Sequence, residues 1–179
     1  CSATTVKNVT IHPLAGSNFS ANTVCEGNPT TFSNTTNPNG VIGWSWYFYS
    51  INQVQSNLPS VAFTYSAAGT YTAYLVALTQ IGCRDTVSRL VTVNPNPQTS
   101  FVSDTVCLGN ITTFSSTSVI FPNGSISANS WNFGGGHSGN GTLTAFTFTA
   151  SGPHTVSLTS TSNLGCSTTH TDRKSTRLN

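Results

Sequence analysis

A block of about 82 residues is written twice in this chain, and the end of a third copy precedes them. Val24-Cys25-Glu26-Gly27-Asn28-Pro29-Thr30-Thr31-Phe32-Ser33 returns as Val106-Cys107-Leu108-Gly109-Asn110-Ile111-Thr112-Thr113-Phe114-Ser115. Phe63-Thr64-Tyr65 returns as Phe146-Thr147-Phe148, Ile81-Gly82-Cys83 as Leu164-Gly165-Cys166, and Cys1 to Pro13 matches Cys83 to Pro95. A period of this length is a whole small domain, so the chain reads as a slice of a tandem array. The expected division is 1–13, the final strand of a preceding truncated repeat; 14–96, one repeat; and 97–171, a second repeat lacking its final strand. Nature repeats domains for reach or multivalency far more often than to repeat catalysis.

Within each repeat the apolar pattern has period two. Tyr71, Ala73, Leu75 and Ala77 alternate with Thr72, Tyr74 and Val76, and His154, Val156 and Leu158 alternate with Thr155, Ser157 and Thr159. Trp44, Trp46 and Phe48 alternate with Ser45, Tyr47 and Tyr49. These runs are short, rich in β-branched and aromatic residues, and bounded by Gly, Pro or Asn, while no window carries a clean helical stripe. An all-β fold of tandem immunoglobulin-like sandwiches follows. Asn94-Pro95-Asn96-Pro97 marks the boundary between repeats, and two prolines in four residues favour an extended, fairly stiff joint.

Charged residues form only 6% of the chain, so its polar surface must be mostly Thr, Ser and Asn. Such a composition leans towards disorder, but 36% hydrophobic residues with ten Phe, five Tyr and three Trp supply packed cores. The formal charge of +2 comes from the last eight residues, where Arg173, Lys174 and Arg177 face Asp172. Elsewhere Lys7, Arg84 and Arg89 balance Glu26, Asp85 and Asp104, which leaves no basic stripe for nucleic acid. Asp172 to Asn179 resembles the translation of a sequencing adapter, and the repeat pattern stops there, so 172–179 is read as non-native and set aside. With no Met and a start inside a repeat, the chain is expected to be an internal fragment.

Catalysis finds few candidates. General acid–base chemistry needs paired groups, and Glu26, Asp85 and Asp104 each stand alone near a repeat end. Gly136-His137-Ser138-Gly139-Asn140 lacks the last glycine of a G-x-S-x-G elbow and the strand-to-helix turn that holds one, so it reads as a Gly-rich hairpin loop. His154 takes the inward strand position of Tyr71 and reads as an aromatic substitute at the core edge. His12, His137 and His170 show no partner. No catalytic residue, metal ligand or cofactor is assigned, and the reading is non-enzymatic. Sequons at Asn8, Asn18, Asn34, Asn110, Asn123 and Asn140 arise from composition alone in a chain this rich in Asn, Ser and Thr.

Trp131-Asn132-Phe133-Gly134-Gly135-Gly136 with Trp46-Tyr47-Phe48, Phe146-x-Phe148 and Gly152-x-His154-x-Val156-x-Leu158 with Gly69-x-Tyr71 resemble the polycystic kidney disease (PKD) domain. Its hallmark is W-D-F-G-D-G followed by H-x-Y and G-x-Y-x-V-x-L. The resemblance covers residues 14 to about 171, and the C-x-G and Gly-Cys signatures look like repeats of large surface proteins exported by type IX secretion in gliding-type bacteria. It implies a stalk or adhesin segment at the bacterial surface. The competing class is an accessory polysaccharide-binding module of a secreted glycosidase or protease. Partners would be a surface polysaccharide or protein and adjacent repeats of the same chain, with no nucleic acid and no membrane insertion. The family's two aspartates are Asn132 and Gly135 here, and Tyr47 replaces the first in the other repeat, which puts any acidic or calcium-related role of that loop in doubt.

Immunoglobulin-like topology sharpens two expectations. With Trp46, Phe48, Tyr71, Ala73 and Leu75 inward, Tyr47, Tyr49, Tyr74 and Val76 face outward together, where the second repeat has only Asn132, Gly134, Ser157 and Thr159. An aromatic face in one repeat alone suggests a ligand platform; the bland reading is that β-favouring side chains stabilise an exposed sheet. The five Cys match no zinc spacing and indicate disulfides and an exported protein. Cys25 and Cys83 would lie at opposite poles of a sandwich, roughly 30 Å apart at about 3.3 Å per residue, beyond the ~7 Å reach of a disulfide. The expected pair is therefore Cys25 with Cys166, a staple at the junction of two repeats, leaving Cys1, Cys83 and Cys107 for neighbouring repeats. Cys25 with Cys83 and Cys107 with Cys166 stay open as the alternative.

Overall fold

The computed structural model describes residues 1, 3–51 and 53–176. All regular structure among them is β. The first repeat contributes β1 (Phe19–Ala21), β2 (Val24–Cys25), β3 (Thr30–Asn34), β4 (Val41–Tyr47), β5 (Ser60–Phe63), β6 (Gly69–Thr79) and β7 (Arg84–Asn94). The second contributes β8 (Phe101–Ser103), β9 (Ile111–Ser116), β10 (Ile126–Gly134), β11 (His137–Asn140), β12 (Leu143–Thr147), β13 (Gly152–Ser162) and β14 (Ser167–Thr176). Each repeat makes one three-stranded and one four-stranded sheet: β1-β3-β5 with β2-β7-β6-β4, then β12-β9-β8 with β11-β10-β13-β14. These are two tandem PKD-like sandwiches. No helix long and apolar enough to cross a membrane occurs among the described residues.

The alternation read from the sequence sets the cores. In the first repeat Phe19, Phe32, Trp46, Phe48, Ala73, Leu75, Ala77, Val91 and Val93 are buried, and Tyr71 is half-buried at the edge. In the second, Phe101, Phe114, Trp131, Phe133, Phe148, Val156 and Leu158 form one cluster, with Phe146 packed against it. Trp46 stands edge-on to Phe19 with centroids 5.2 Å apart, and Trp131 stands likewise to Phe101 at 5.2 Å. A buried indole needs an acceptor, and both find one: Trp46 Nε1 donates to Leu58 O at 2.8 Å and Trp131 Nε1 to Gly141 O at 2.9 Å.

Both repeated glycine signatures are turns. Gly27 and Gly109 hold φ of 84° and 83°, and the next residue closes each turn, Asn28 N donating to Cys25 O at 3.0 Å and Asn110 N to Cys107 O at 3.1 Å. A side chain at either position would meet the steric penalty of the left-handed region. Two hairpins lead into the other cysteine site. Thr79 N donates to Cys83 O and Ser162 N to Cys166 O, while Thr79 Oγ1 and Ser162 Oγ accept from the amides of Cys83 and Cys166.

The chain divides into two compact units. One comprises Cys1–Thr23, Pro29–Thr64 and Thr70–Thr92; the other comprises Val24–Asn28, Tyr65–Gly69 and Val93–Asn179. The second unit thus includes the Cys25 turn. There β2 runs parallel to the end of β7, Val24 opposite Val93 and Cys25 opposite Asn94.

Two expectations are corrected. Residues 3–13 form no strand, and Val6, Val9 and Ile11 are exposed. A strand needs a ladder partner, and alternation alone does not supply one. The second repeat, conversely, has a final strand: β14 pairs with β13 along its length, from Ser167 opposite Thr161 to Thr176 opposite Gly152. Charge at Asp172 does not prevent this, because the ladder is made by backbone groups. Moreover, the equivalent first-repeat residue, Arg89, is exposed, with its guanidinium 5.7 Å over the Phe19 ring and donating to Asn18 Oδ1 at 2.7 Å. Asp172 is only half-buried, and its Oδ1 accepts from Arg173 N at 2.7 Å. The side chains of Lys174 and Thr176, and all of 177–179, lie outside the described residues.

Candidate functional site

The outward face of β4 and β6 carries the residues singled out as a platform. Tyr47 lies directly opposite Tyr74, and Ser45 opposite Val76, so Tyr47, Tyr74 and Val76 share one patch of sheet. All three are half-buried. Beside them the chain turns back along β4: Trp46 N donates to Ser56 O and Gln55 N to Trp46 O, both at 2.8 Å. This return segment raises a wall, and the face becomes a groove of about 480 Å³ lined by Trp44, Tyr47, Asn57, Val76, Leu78 and Arg84, among others. Aromatic and aliphatic surface, one amide and one guanidinium therefore meet in a single concavity.

Tyr49 does not join this surface. Strand β4 ends at Tyr47, so the two-residue alternation that would have carried Tyr49 outward stops before it. Tyr49 instead stands edge-on to Phe63 at 5.5 Å and to Tyr71 at 5.9 Å, although it remains 55% exposed. Three contributors escaped the sequence reading. Leu78 continues the Tyr74–Val76 alternation by one step and was within reach. Arg84 opens the strand after the Gly-Cys hairpin, and Asn57 comes from the return segment; Trp44, opposite buried Ala77, stays on the inward face of β4 and only borders the groove.

The corresponding face of the second repeat is a layer of hydroxyls. Thr159 Oγ1 lies 2.8 Å from Thr169 Oγ1, and Thr161 Oγ1 lies 2.9 Å from Ser167 Oγ. Asn132 Oδ1 turns back to accept from Gly134 N at 2.8 Å. These groups satisfy one another and offer no aromatic surface.

Cys25 and Cys166 form a disulfide, with Cα atoms 5.7 Å apart and a sequence separation of 141. Both belong to the second compact unit. Hydrogen bonds fasten the same region: Asn96 Nδ2 donates to Glu26 O at 2.9 Å, Asn94 Nδ2 to Leu164 O at 3.2 Å, and Thr168 Oγ1 to Pro97 O at 2.6 Å. Cys1 and Cys83 are free thiols, Cys1 exposed and Cys83 half-buried. Cys107 is half-buried at its turn.

The isolated carboxylates do structural work. Asp85 Oδ2 accepts from Ser17 N at 2.6 Å, and both oxygens of Asp104 accept from Thr113, at 2.8 Å each. His137 sits in the hairpin after the Gly134–Gly136 turn, 5.1 Å from the Phe146 ring. His154 stacks on Phe148 at 4.2 Å and donates through Nε2 to Ala150 O at 2.8 Å. His170 stands edge-on to Phe101 at 5.6 Å. No group of three or more His, Cys, Asp or Glu able to hold a metal occurs among the described residues.

Residues 92–176 match the family model of the PKD domain. No curated protein matches the chain in sequence. Among solved structures it is similar to the PKD1 domain of Vibrio anguillarum Epp, at 26% identity over 48% of this chain and 99% of that one, TM-score 0.44. The PKD1 domain of the Vibrio cholerae metalloprotease PrtV matches at 26% identity over 45% and 96%, TM-score 0.42. The fibronectin(III)-like modules of Clostridium thermocellum CbhA match at 17% identity over 93% and 92%, TM-score 0.44.

Proposed function

We propose that this chain, whose residues 92–176 are a PKD domain, is a non-enzymatic segment of a secreted bacterial surface protein: repeats that act as spacers, with an adhesive groove on the first of them. The groove on β4 and β6 carries the reading. Its Tyr47 ring suits the apolar face of a sugar ring, while Asn57 and Arg84 suit hydroxyl and carboxylate substituents. The sister repeat keeps the same strands and lacks this surface, so the fold alone does not require it. The Cys25–Cys166 disulfide supports an oxidising, extracellular setting. A catalytic domain on the same polypeptide would make the groove an accessory module of a secreted glycosidase or protease instead, with the same ligand class.

The test is a titration of soluble cell-wall and capsular polysaccharides, uronate-containing and neutral, against the full chain and its Tyr47→Ser variant. Loss of one stacking ring should weaken binding by about two- to tenfold. Equal affinity in both proteins would remove the groove from the function.

A further inference from the structure

The ends of the two sandwiches differ by one ring. In the first repeat Phe48 stacks on Phe63 at 4.4 Å, and Tyr49 covers the pair, edge-on to both Phe63 and Tyr71. The second repeat keeps the stack: Phe133 lies parallel to Phe146 at 4.8 Å, and Phe148 stands edge-on to Phe146 at 4.9 Å. At the place of Tyr49, however, it has Gly134, followed by Gly135 and Gly136. All three glycines hold positive φ, at 82°, 58° and 86°, so the chain turns there without projecting a side chain. The space is open. Phe133, His137, Phe146, Phe148, Pro153 and His154 wall a cleft of about 310 Å³.

We infer that this cleft is a docking site for a tyrosine side chain presented by a partner polypeptide. The first repeat shows the occupant, since it fills the matching position with a phenol ring of its own. The cleft's polar groups fit the same chemistry. His154 donates through Nε2 to Ala150 O, which makes Nδ1 the acceptor nitrogen of the neutral ring, and a phenol O–H is a donor. No carboxylate or lysine lines the cleft. Two imidazoles and a floor of phenylalanine rings thus receive a ring that is apolar on its faces and polar at its tip. This site is on the other repeat from the sugar groove and does not depend on it.

The experiment follows backbone amide shifts of the full oxidised chain while N-acetyl-L-tyrosinamide is added, with methyl β-glucopyranoside in a parallel series. Saturable shifts at the amides of Gly134 to Gly136, of Thr149 to Gly152, and of His154 and Thr155, stronger for the tyrosine compound, support the site. Gly134→Tyr, which supplies the ring internally, should abolish them. Because that glycine's φ resists a side chain, Phe146→Leu serves as the second variant and should weaken binding by about two- to tenfold, with the fold checked by unchanged shifts in β9. Tyr47→Ser should leave the response intact, which separates this proposal from the groove. Absence of saturable shifts at those amides, a response to the glycoside alone, or undiminished binding in Phe146→Leu would overturn it.

Discussion

Trp46 and Trp131 occupy matching core positions, yet their neighbours toward the strand start diverge. In the first repeat Trp44 pairs with Ala77 across β4 and β6; in the second the same pair is Asn129 with Ser160. The first pair is apolar. The second builds a polar network, Ser160 Oγ lying 2.8 Å from both Asn129 Oδ1 and Ser118 Oγ, with Ser116 Oγ donating to Asn129 Oδ1 at 3.2 Å. The same contrast runs over the outer face, where Tyr47, Tyr74 and Val76 stand against Asn132, Ser157 and Thr159. The central ring stack tolerates none of this variation. A sandwich of this size is held by a few aromatic residues, and the remainder of each sheet is free to become either a binding surface or a self-satisfied polar coat.

The comparison breaks most sharply at the shared tryptophan. Trp46→Ala and Trp131→Ala should each cost about 3–5 kcal/mol in urea unfolding, the cavity left by the indole being the main cause. Near-equal losses would mark the two cores as energetically equivalent; a loss below about 1 kcal/mol in either would show that its stack is not the keystone. Next in size is the disulfide. A Cys25→Ser, Cys166→Ser double variant releases a cross-link spanning 141 residues and should lower the stability of the second unit by about 2–5 kcal/mol. Hydrogen exchange should register this in β13 and leave β3 unchanged; equal loss of protection in both would contradict the assignment of the bond to the second unit.

Smaller effects probe the polar pair. Ser160→Ala leaves Asn129 and Ser118 short of a partner inside the sandwich and should cost about 1–3 kcal/mol, with Ala77→Ser in the first repeat costing a similar amount for the converse reason. A neutral Ala77→Ser, seen in thermal melts, would mean that this site admits water. Smallest is Thr30→Val. Thr30 is fully buried and its hydroxyl makes no hydrogen bond among the described residues. Replacing it with a methyl should raise stability by up to about 1 kcal/mol, and a loss would reveal a partner for the hydroxyl.

Much of this architecture was legible from residue order. The period-two runs placed Trp46, Phe48, Ala73 and Leu75 inside, and the repeated C-x-G marked a turn that only glycine makes easily. What escaped depended on where regular strand geometry begins and ends. Tyr49 sits two residues past the end of β4, so parity no longer governed its direction. Val9, Thr10 and Ile11 alternate as a strand should, but nothing among the described residues pairs with them. The repeat pattern stops at 171, yet the final strand continues through Asp172, because its ladder is made by backbone groups and the matching Arg89 is exposed. The groove, in turn, needed the return segment around Val54 to Asn57, whose course across β4 no periodicity announces.

The hydroxyl pairs on the second repeat have one more consequence. Thr159 with Thr169 and Thr161 with Ser167 coat a sheet with neutral donors and acceptors, in a chain that carries six lysines and arginines and four aspartates and glutamates in 179 residues. Salt acts on proteins chiefly by screening charges over distances of about 8–10 Å, and acidity acts by changing them. A coat of hydroxyls presents little for either to work on. That face of the second repeat should therefore respond little to moderate changes of ionic strength or pH.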